Sequence, residues 1–289
     1  MRWYRGNLHT HSTVGSGDGR STPEEHRRWY QDHGYDFLAI TDHDTLTRNG
    51  HLSSEDFVLI ENGVEYSGNH LVALGVQSQL DWRLPREAIL ESAWQEGGMA
   101  IAAHPNWNGD HWPSSLLRST VGLRALEIYN SHGEELDGSP YATDRWDELL
   151  SGGVLVWGVA SDDAHAAEGP VAGRGWVMAW APRLRSADLV AALRAGHFTA
   201  CKGLSFQRLG LSAGRVEVRV PGAEILRLIG PGGALLAETG GGSAEFPLEM
   251  RGYARVEAQA GDDRCWSQPL IFEGRLTSFG ALIAQGCLG

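Results

Sequence analysis

Cysteine is scarce. The three present in 289 residues, Cys201, Cys265 and Cys287, stand far apart with no C-x-x-C spacing, which excludes a disulfide framework and a thiolate zinc knuckle. Apolar runs of about 20 residues, the length that spans a bilayer, are missing, and residues 1–6 lack the apolar core of a signal peptide. The expectation is a cytoplasmic chain with no membrane partner. Lysine is nearly absent too: of 24 basic residues only Lys202 is lysine, and 36 acids leave a formal net charge of −12. General nucleic-acid binders gain affinity by neutralising phosphates with Lys and Arg, so a long nucleic acid is not an expected partner.

What is present has the rhythm of an α/β domain. Short apolar runs at 37–40, 57–60, 71–74, 99–102, 125–128 and 154–157 alternate with amphipathic stretches, the pattern of repeated strand and helix units. Thr22-Pro23-Glu24-Glu25 puts a capping residue before proline and acids in the first turn, predicting a helix to about Gly34. Further helices are expected near 85–96, 142–151 and 186–195. From about Ser205 the texture turns to alternating segments such as 215–220 and 253–258, broken by Pro231-Gly232-Gly233 and Gly240-Gly241-Gly242. Half-buried strands joined by glycine turns read this way. The expected division is 1–205, a β-rich 206–273 and a tail at 274–289.

Histidine makes the composition specific. In Asn7-Leu8-His9-Thr10-His11 two imidazoles stand on alternate residues, which a strand aims to one side. Thr41-Asp42-His43-Asp44 follows the run 37–40, and Ala102-Ala103-His104-Pro105 and Ser161-Asp162-Asp163-Ala164-His165 end two later runs. Carboxyl ends of strands are where α/β sheets present ligands. Glu65 follows 57–60 and His70 precedes 71–74. Of the 12 histidines, His9, His11, His43, His70, His104, His132 and His165 fall at or beside strand ends, whereas His26, His33, His51, His111 and His197 read as solvated. Imidazole with carboxylate suits zinc, iron or manganese better than magnesium or calcium. Roughly ten convergent groups exceed one tetrahedral shell, so two or three divalent ions are expected.

The ordered set His9-x-His11, Asp18-Gly19, Thr41-Asp42-His43, Glu65, His104-Pro105 and Asp163-x-His165 resembles the motifs of the polymerase and histidinol phosphatase (PHP) superfamily of metal-dependent phosphoesterases, over about residues 4–205. Trp176, the segment 191–198, Arg255-Val256-Glu257 and Trp266-Ser267-Gln268-Pro269 extend a looser likeness to its carbaryl-esterase-like branch. The resemblance implies a distorted seven-stranded (β/α) barrel with metals at the carboxyl-end mouth, followed by a small C-terminal all-β domain. It implies one ion on His9, His11, Glu65 and Asp163, a second bridged by Glu65 to His70 and His104, and a third on Asp18, His43 and His165. Asp18 stands further from His11 than the family spacing, an insertion at 14–17 that can displace its carboxylate.

The implied activity is hydrolysis of a small phosphate ester or short nucleotide phosphodiester by a metal-bound hydroxide, with no protein nucleophile. A carboxylic or carbamate ester hydrolase on the same metals, and a metal-binding domain without turnover, are the competing readings. Relatives often place arginine after the histidine-proline pair, where this chain has Asn106-Trp107-Asn108. Arg174 and Lys202 are the candidate replacements for contacting substrate, and His132 is a third candidate.

Overall fold

Residues 1–107, 110–136 and 138–286 are described by a computed structural model; Asn108 and Cys287 lie outside the described residues. The chain opens with β1 (Arg2–Asn7), α1 (Pro23–Asp32), β2 (Phe37–Leu38), β3 (Thr47–Arg48), β4 (Val58–Leu59), β5 (Asn62–Tyr66) and β6 (Leu71–Leu74). It continues through α2 (Arg86–Gln95), β7 (Met99–Ala102), α3 (Ser114–Ser119), β8 (Ala125–Asn130), α4 (Ser131–Leu136), α5 (Thr143–Ser151) and β9 (Trp157–Ser161). Then come β10 (Trp176–Ala181), α6 (Ser186–Arg194), β11 (Phe198–Lys202), β12 (Arg208–Ser212), β13 (Arg215–Arg219), β14 (Ile225–Gly230) and β15 (Ala234–Gly240). The chain closes with β16 (Ser243–Pro247), β17 (Arg255–Ala260), β18 (Asp263–Trp266), β19 (Ile271–Phe272), β20 (Arg275–Leu276) and α7 (Ser278–Ala284).

Local chemistry explains where these elements start and stop. Thr22 accepts from the Glu25 backbone while the Glu25 carboxylate accepts from the Thr22 backbone, a capping box that begins α1 with proline at its first turn. The run expected as a strand at 154–157 begins pairing only at Trp157, opposite Ala125. Val154 is spent elsewhere: its N–H donates to Leu149 O at 3.0 Å, with Gly153 at φ 81° closing α5. Glu65 does not merely follow a strand. It sits inside β5, where a short antiparallel ladder with β6 pairs it to Val72.

The class is mixed α/β. One sheet of nine strands runs β15-β14-β17-β18-β11-β10-β1-β2-β4, and one of six runs β3-β5-β6-β7-β8-β9. Single parallel bridges, Thr10 to Ala164 and His43 to Glu65, tie the two sheets together. β1, β2 and β4 pair in parallel, and β2 and β4 are buried throughout, as strands covered on both faces must be. Strands beyond residue 205 extend the first sheet through β11 and β18, with Cys201 opposite Cys265, while β12, β13 and β16 form a sheet of three. No helix among the described residues is long and apolar enough to cross a membrane.

A buried ion pair fastens the later strands to the earlier helices. Arg255 on β17 donates to both oxygens of Asp147 on α5 at 2.8 Å each, and Tyr253 Oη donates to Asp147 Oδ1 at 2.8 Å. Taking both charges out of water is costly, so removing one partner leaves the other stranded. Asp147→Ala is expected to lower unfolding free energy by about 3–5 kcal/mol in urea titration, and the double change Asp147→Leu with Arg255→Met by clearly less. Equal losses would refute the stranded-charge argument.

Candidate metal centre

β1 delivers the first two imidazoles into a turn held by Asn7, whose amide donates to His9 O at 2.9 Å and to Thr10 Oγ1 at 2.8 Å. His9 and His11 are fully buried, with their Nε2 atoms 3.1 Å apart. Their other nitrogens are engaged on the outside. His9 Nδ1 lies 2.8 Å from Glu127 Oε1, and His11 Nδ1 lies 3.1 Å from Ser16 Oγ, whose own proton goes to Asp42 Oδ1. These partners accept, so each ring keeps its proton on Nδ1 and presents a lone pair at Nε2.

Two carboxylates meet those lone pairs. Glu65 Oε2 stands 3.3 Å from His9 Nε2, 3.4 Å from His11 Nε2 and 3.1 Å from His43 Nδ1, while its Oε1 stands 3.2 Å from His104 Nε2. Asp163 Oδ1 lies 3.0 Å from His11 Nε2 and 3.4 Å from His9 Nε2, yet it is a buried oxygen with no hydrogen-bond donor. Imidazole nitrogens and anionic oxygens crowded into one buried volume call for a positive charge among them, which a proton or a metal cation supplies. The donor set therefore fits a metal ion.

Burial alone would raise the carboxyl pKa values. The charge of His9 outweighs it and holds Glu65 and Asp163 well below the usual carboxylate range. Burial likewise opposes charge on His9, but Asp163, Glu127 and Glu65 together lift it well above the ordinary histidine value. In a site of this kind a bound cation competes with the proton.

All nine residues expected as ligands come together. Asp18 Oδ2 reaches within 3.3 Å of His165 Nε2 and 3.5 Å of His43 Nε2, so the insertion at 14–17 does not carry that carboxylate away. Four sets each bring one ligand atom per residue within 4.8 Å of one another: His9, His11 and Asp163; His9, Glu65 and His104; His11, His43 and His165; and His70, His104 and His111. Backbone strain marks the same places, with His70, His104 and Asp163 at φ 49°, 33° and 57°. Left-handed conformations of non-glycine residues cost about 1–3 kcal/mol each and collect at functional sites.

The substrate candidates separate. His132 lines the cavity over the cluster, about 260 Å³ in volume, beside Trp107 and His165. Lys202 is buried, with Nζ donating to Glu134 Oε1 at 2.7 Å and to Tyr141 Oη at 2.9 Å, and Arg174 lies 3.6 Å from the same Glu134. Neither cation is among the residues lining that cavity.

Two histidines read as solvated are not. His26 is fully buried, its Nε2 donating to His11 O at 3.0 Å. His111 stacks on His70 at 3.6 Å between ring centroids, because the turn after Pro105 brings it back over the cluster. His33 and His51 are exposed and His197 is half-buried. Glu127 was missed altogether: besides His9 it accepts from His104 N at 2.7 Å and Asn130 Nδ2 at 2.8 Å. A lone acid in the apolar run 125–130 was the available signal.

No protein-family model matches this sequence, and no curated protein matches it. Among solved structures the chain is similar to a two-domain protein containing a predicted PHP-like metal-dependent phosphoesterase from Bacteroides vulgatus ATCC 8482. The identity is 13% and the TM-score 0.49, over 92% of this chain and 87% of that one. It is similar to PsfC from Pseudomonas syringae PB-5123 at 14% identity and TM-score 0.48, over 66% of this chain and 89% of that one. It is also similar to the lesion-specific endonuclease PfuEndoQ from Pyrococcus furiosus at 14% identity and TM-score 0.46, over 68% of this chain and 56% of that one.

Two outcomes follow from the buried histidines and Glu127. Glu127→Gln removes the anionic acceptor from His9 and is expected to weaken metal retention by about 10- to 100-fold in chelator competition followed by elemental analysis. Retention equal to wild type would remove Glu127 from the centre. Burial pushes His26 down to about 4, below the unfolded value of about 6.5. Its contribution to stability is thus complete above pH 6.5 and lost as pH falls toward 4, on the order of 3 kcal/mol. Chemical denaturation of metal-free protein across that range should show a shallower decline in His26→Asn than in wild type.

Proposed function

We propose that this chain is a metal-dependent phosphoesterase acting on a small phosphate ester or a short nucleotide phosphodiester. The observation that carries the proposal is the donor-less Asp163 Oδ1 set among the Nε2 lone pairs of His9 and His11 and the carboxylate of Glu65. In this reading His9, His11, Glu65 and Asp163 hold one ion, Glu65, His70 and His104 a second, and Asp18, His43 and His165 a third. Divalent ions there supply Lewis-acid charge for phosphoryl oxygens and acidify bound water.

The protein's own part is positioning. Glu127 and Ser16 keep the protons of His9 and His11 on Nδ1, so the Nε2 atoms face the ions. Trp107 and His132 stack at 5.3 Å along one side of the mouth. The adjoining cavity, about 390 Å³, shares Asp18, His132 and His165 with the mouth and adds Arg20, Leu136 and Val171. It suits a leaving group of nucleoside size. Net charge −12 repels long polyanions outside the metal mouth.

The proposal extends to the architecture. The two bridged sheets serve as the distorted barrel, with the cluster at its mouth, and the chain divides near residue 205 so that the β-rich remainder supplies no ligand. Kinship with the carbaryl-esterase-like branch belongs to the same proposal. A carboxylic or carbamate ester substrate is the second reading, supported by the cavity over the cluster: among the described residues no Lys or Arg lines it.

Protein purified without chelator is expected to hold at least two transition-metal ions per chain and to hydrolyse an aryl phosphate or a mononucleotide phosphodiester faster than an aryl acetate. Turnover of a long single strand should be slower than that of a trinucleotide at every salt concentration. Faster cleavage of aryl acetate would shift the assignment to the second reading. Less than one bound equivalent would end both.

A further inference from the structure

The histidines of the cluster share a habit. His9, His11 and His165 each place Nδ1 against an oxygen that is not itself facing the lone pairs: Glu127 Oε1, Ser16 Oγ and the Asp163 carbonyl, the last at 3.0 Å. His43 Nδ1 differs, lying between Ser67 Oγ at 3.0 Å and the cluster oxygen Glu65 Oε2 at 3.1 Å. Such outer partners settle which nitrogen carries the proton and how the ring is turned. His104 breaks the chemistry but keeps the geometry, for its Nδ1 lies 2.9 Å from Nδ1 of another imidazole, His111.

We propose that His111 is the positioning residue of His104, accepting its Nδ1 proton so that His104 Nε2 is presented as a lone pair beside Glu65 Oε1. The proposal rests on the functional reading above for the presence of ions and adds a role that reading does not assign. A hydrogen bond across that separation requires one of the two Nδ1 atoms to carry the proton and the other to accept it. If His111 held it, His104 would carry its own proton on Nε2, pointing at the 3.2 Å neighbour Glu65 Oε1 and blocking that nitrogen as a ligand. Held by His104, it leaves Nε2 free.

The placement of His111 is over-determined. Its ring lies parallel to His70, 4° between planes at 3.6 Å, and parallel to Trp107, 6° between planes at 6.2 Å. His104 is T-shaped to His111, to His70 and to Trp107, at 5.0, 5.4 and 5.0 Å between centroids. His111 therefore supports both histidines on the Glu65 Oε1 side, one through a hydrogen bond and one through its face. The hydrogen-bond partner of His104 Nδ1 is this imidazole nitrogen. An imidazole is a weaker acceptor than a carboxylate, so this flank should hold its ion less tightly than the His9 side, where Glu127 does the same work.

The test compares wild type with His111→Ala, His111→Phe and His111→Gln by titrating zinc-loaded protein with a chelator and counting bound equivalents by elemental analysis. Phe keeps the stack on His70 but cannot accept a proton. Gln can accept through its amide oxygen. Ala and Phe are expected to lose one equivalent at about 10- to 100-fold lower chelator, with the remaining equivalents unmoved, and Gln to restore most of the difference. Far-UV circular dichroism of the metal-free Phe variant guards against a folding artefact.

Wild-type retention in both Ala and Phe would overturn the proposal. Loss in Gln as deep as in Ala would overturn it too, since His111 would then bind the ion itself. Wild-type protein that binds no zinc would fail the functional reading, a result distinct from either.

Discussion

The centre depends on packing imidazole nitrogens and carboxylate oxygens into one buried volume where a positive charge must reconcile them. His9 and His11 bring two Nε2 lone pairs within 3.1 Å, and Glu65 and Asp163 add anionic oxygens to the same volume. Left to itself such an arrangement would spread apart or take up protons. It is held by what stands behind it: Glu127 and Ser16 on the far nitrogens, and Asp42 behind Ser16. Outer groups of this sort fix tautomers and ring orientation, and here they are buried, where a hydrogen bond has little competition from water.

The backbone makes the same commitment. Three cluster residues, His70, His104 and Asp163, sit in left-handed conformations, which the surrounding structure must over-determine. For Asp163 the determinants are visible: its N–H donates to His9 O at 3.0 Å, and the following Ala164 is bridged to Thr10. The bridges that join the two sheets are therefore also the places where ligand-bearing turns meet. His43 and Glu65 repeat the arrangement at the other seam. The segments that join the two sheets are thus the segments that carry ligand candidates.

The later strands are integrated by different means. Their contact with the front half is a buried Arg255–Asp147 pair and a shared sheet through β11 and β18, with one apolar core that takes Tyr30 and Leu38 from the front and Val216, Val256 and Phe279 from the back. None of the four convergent ligand sets includes a residue from this part.

Histidine and carboxylate spacing, read against the ends of apolar runs, marked His9, His11, His43, Glu65, His70, His104, Asp163 and His165 as candidates, because ligand chemistry shows in residue type and strand ends show in hydrophobic pattern; Asp18 entered only through the family resemblance. The capping box at Thr22 and the alternating strands after residue 205 were legible for the same reason: both are local. What the tertiary structure alone decided was non-local. Glu127 lies 118 positions from His9 and meets it only because β8 packs beside that turn. His111 looks like any loop histidine until the chain after Pro105 folds back over His70, and His26 looks like a solvated helix residue until α1 buries it on His11 O. Lys202 reads as a lone cation until Glu134, on a different element, takes up its charge. Residue type and periodicity determine which groups are available for chemistry, whereas which groups hold them in place depends on contacts between distant segments that no local pattern encodes.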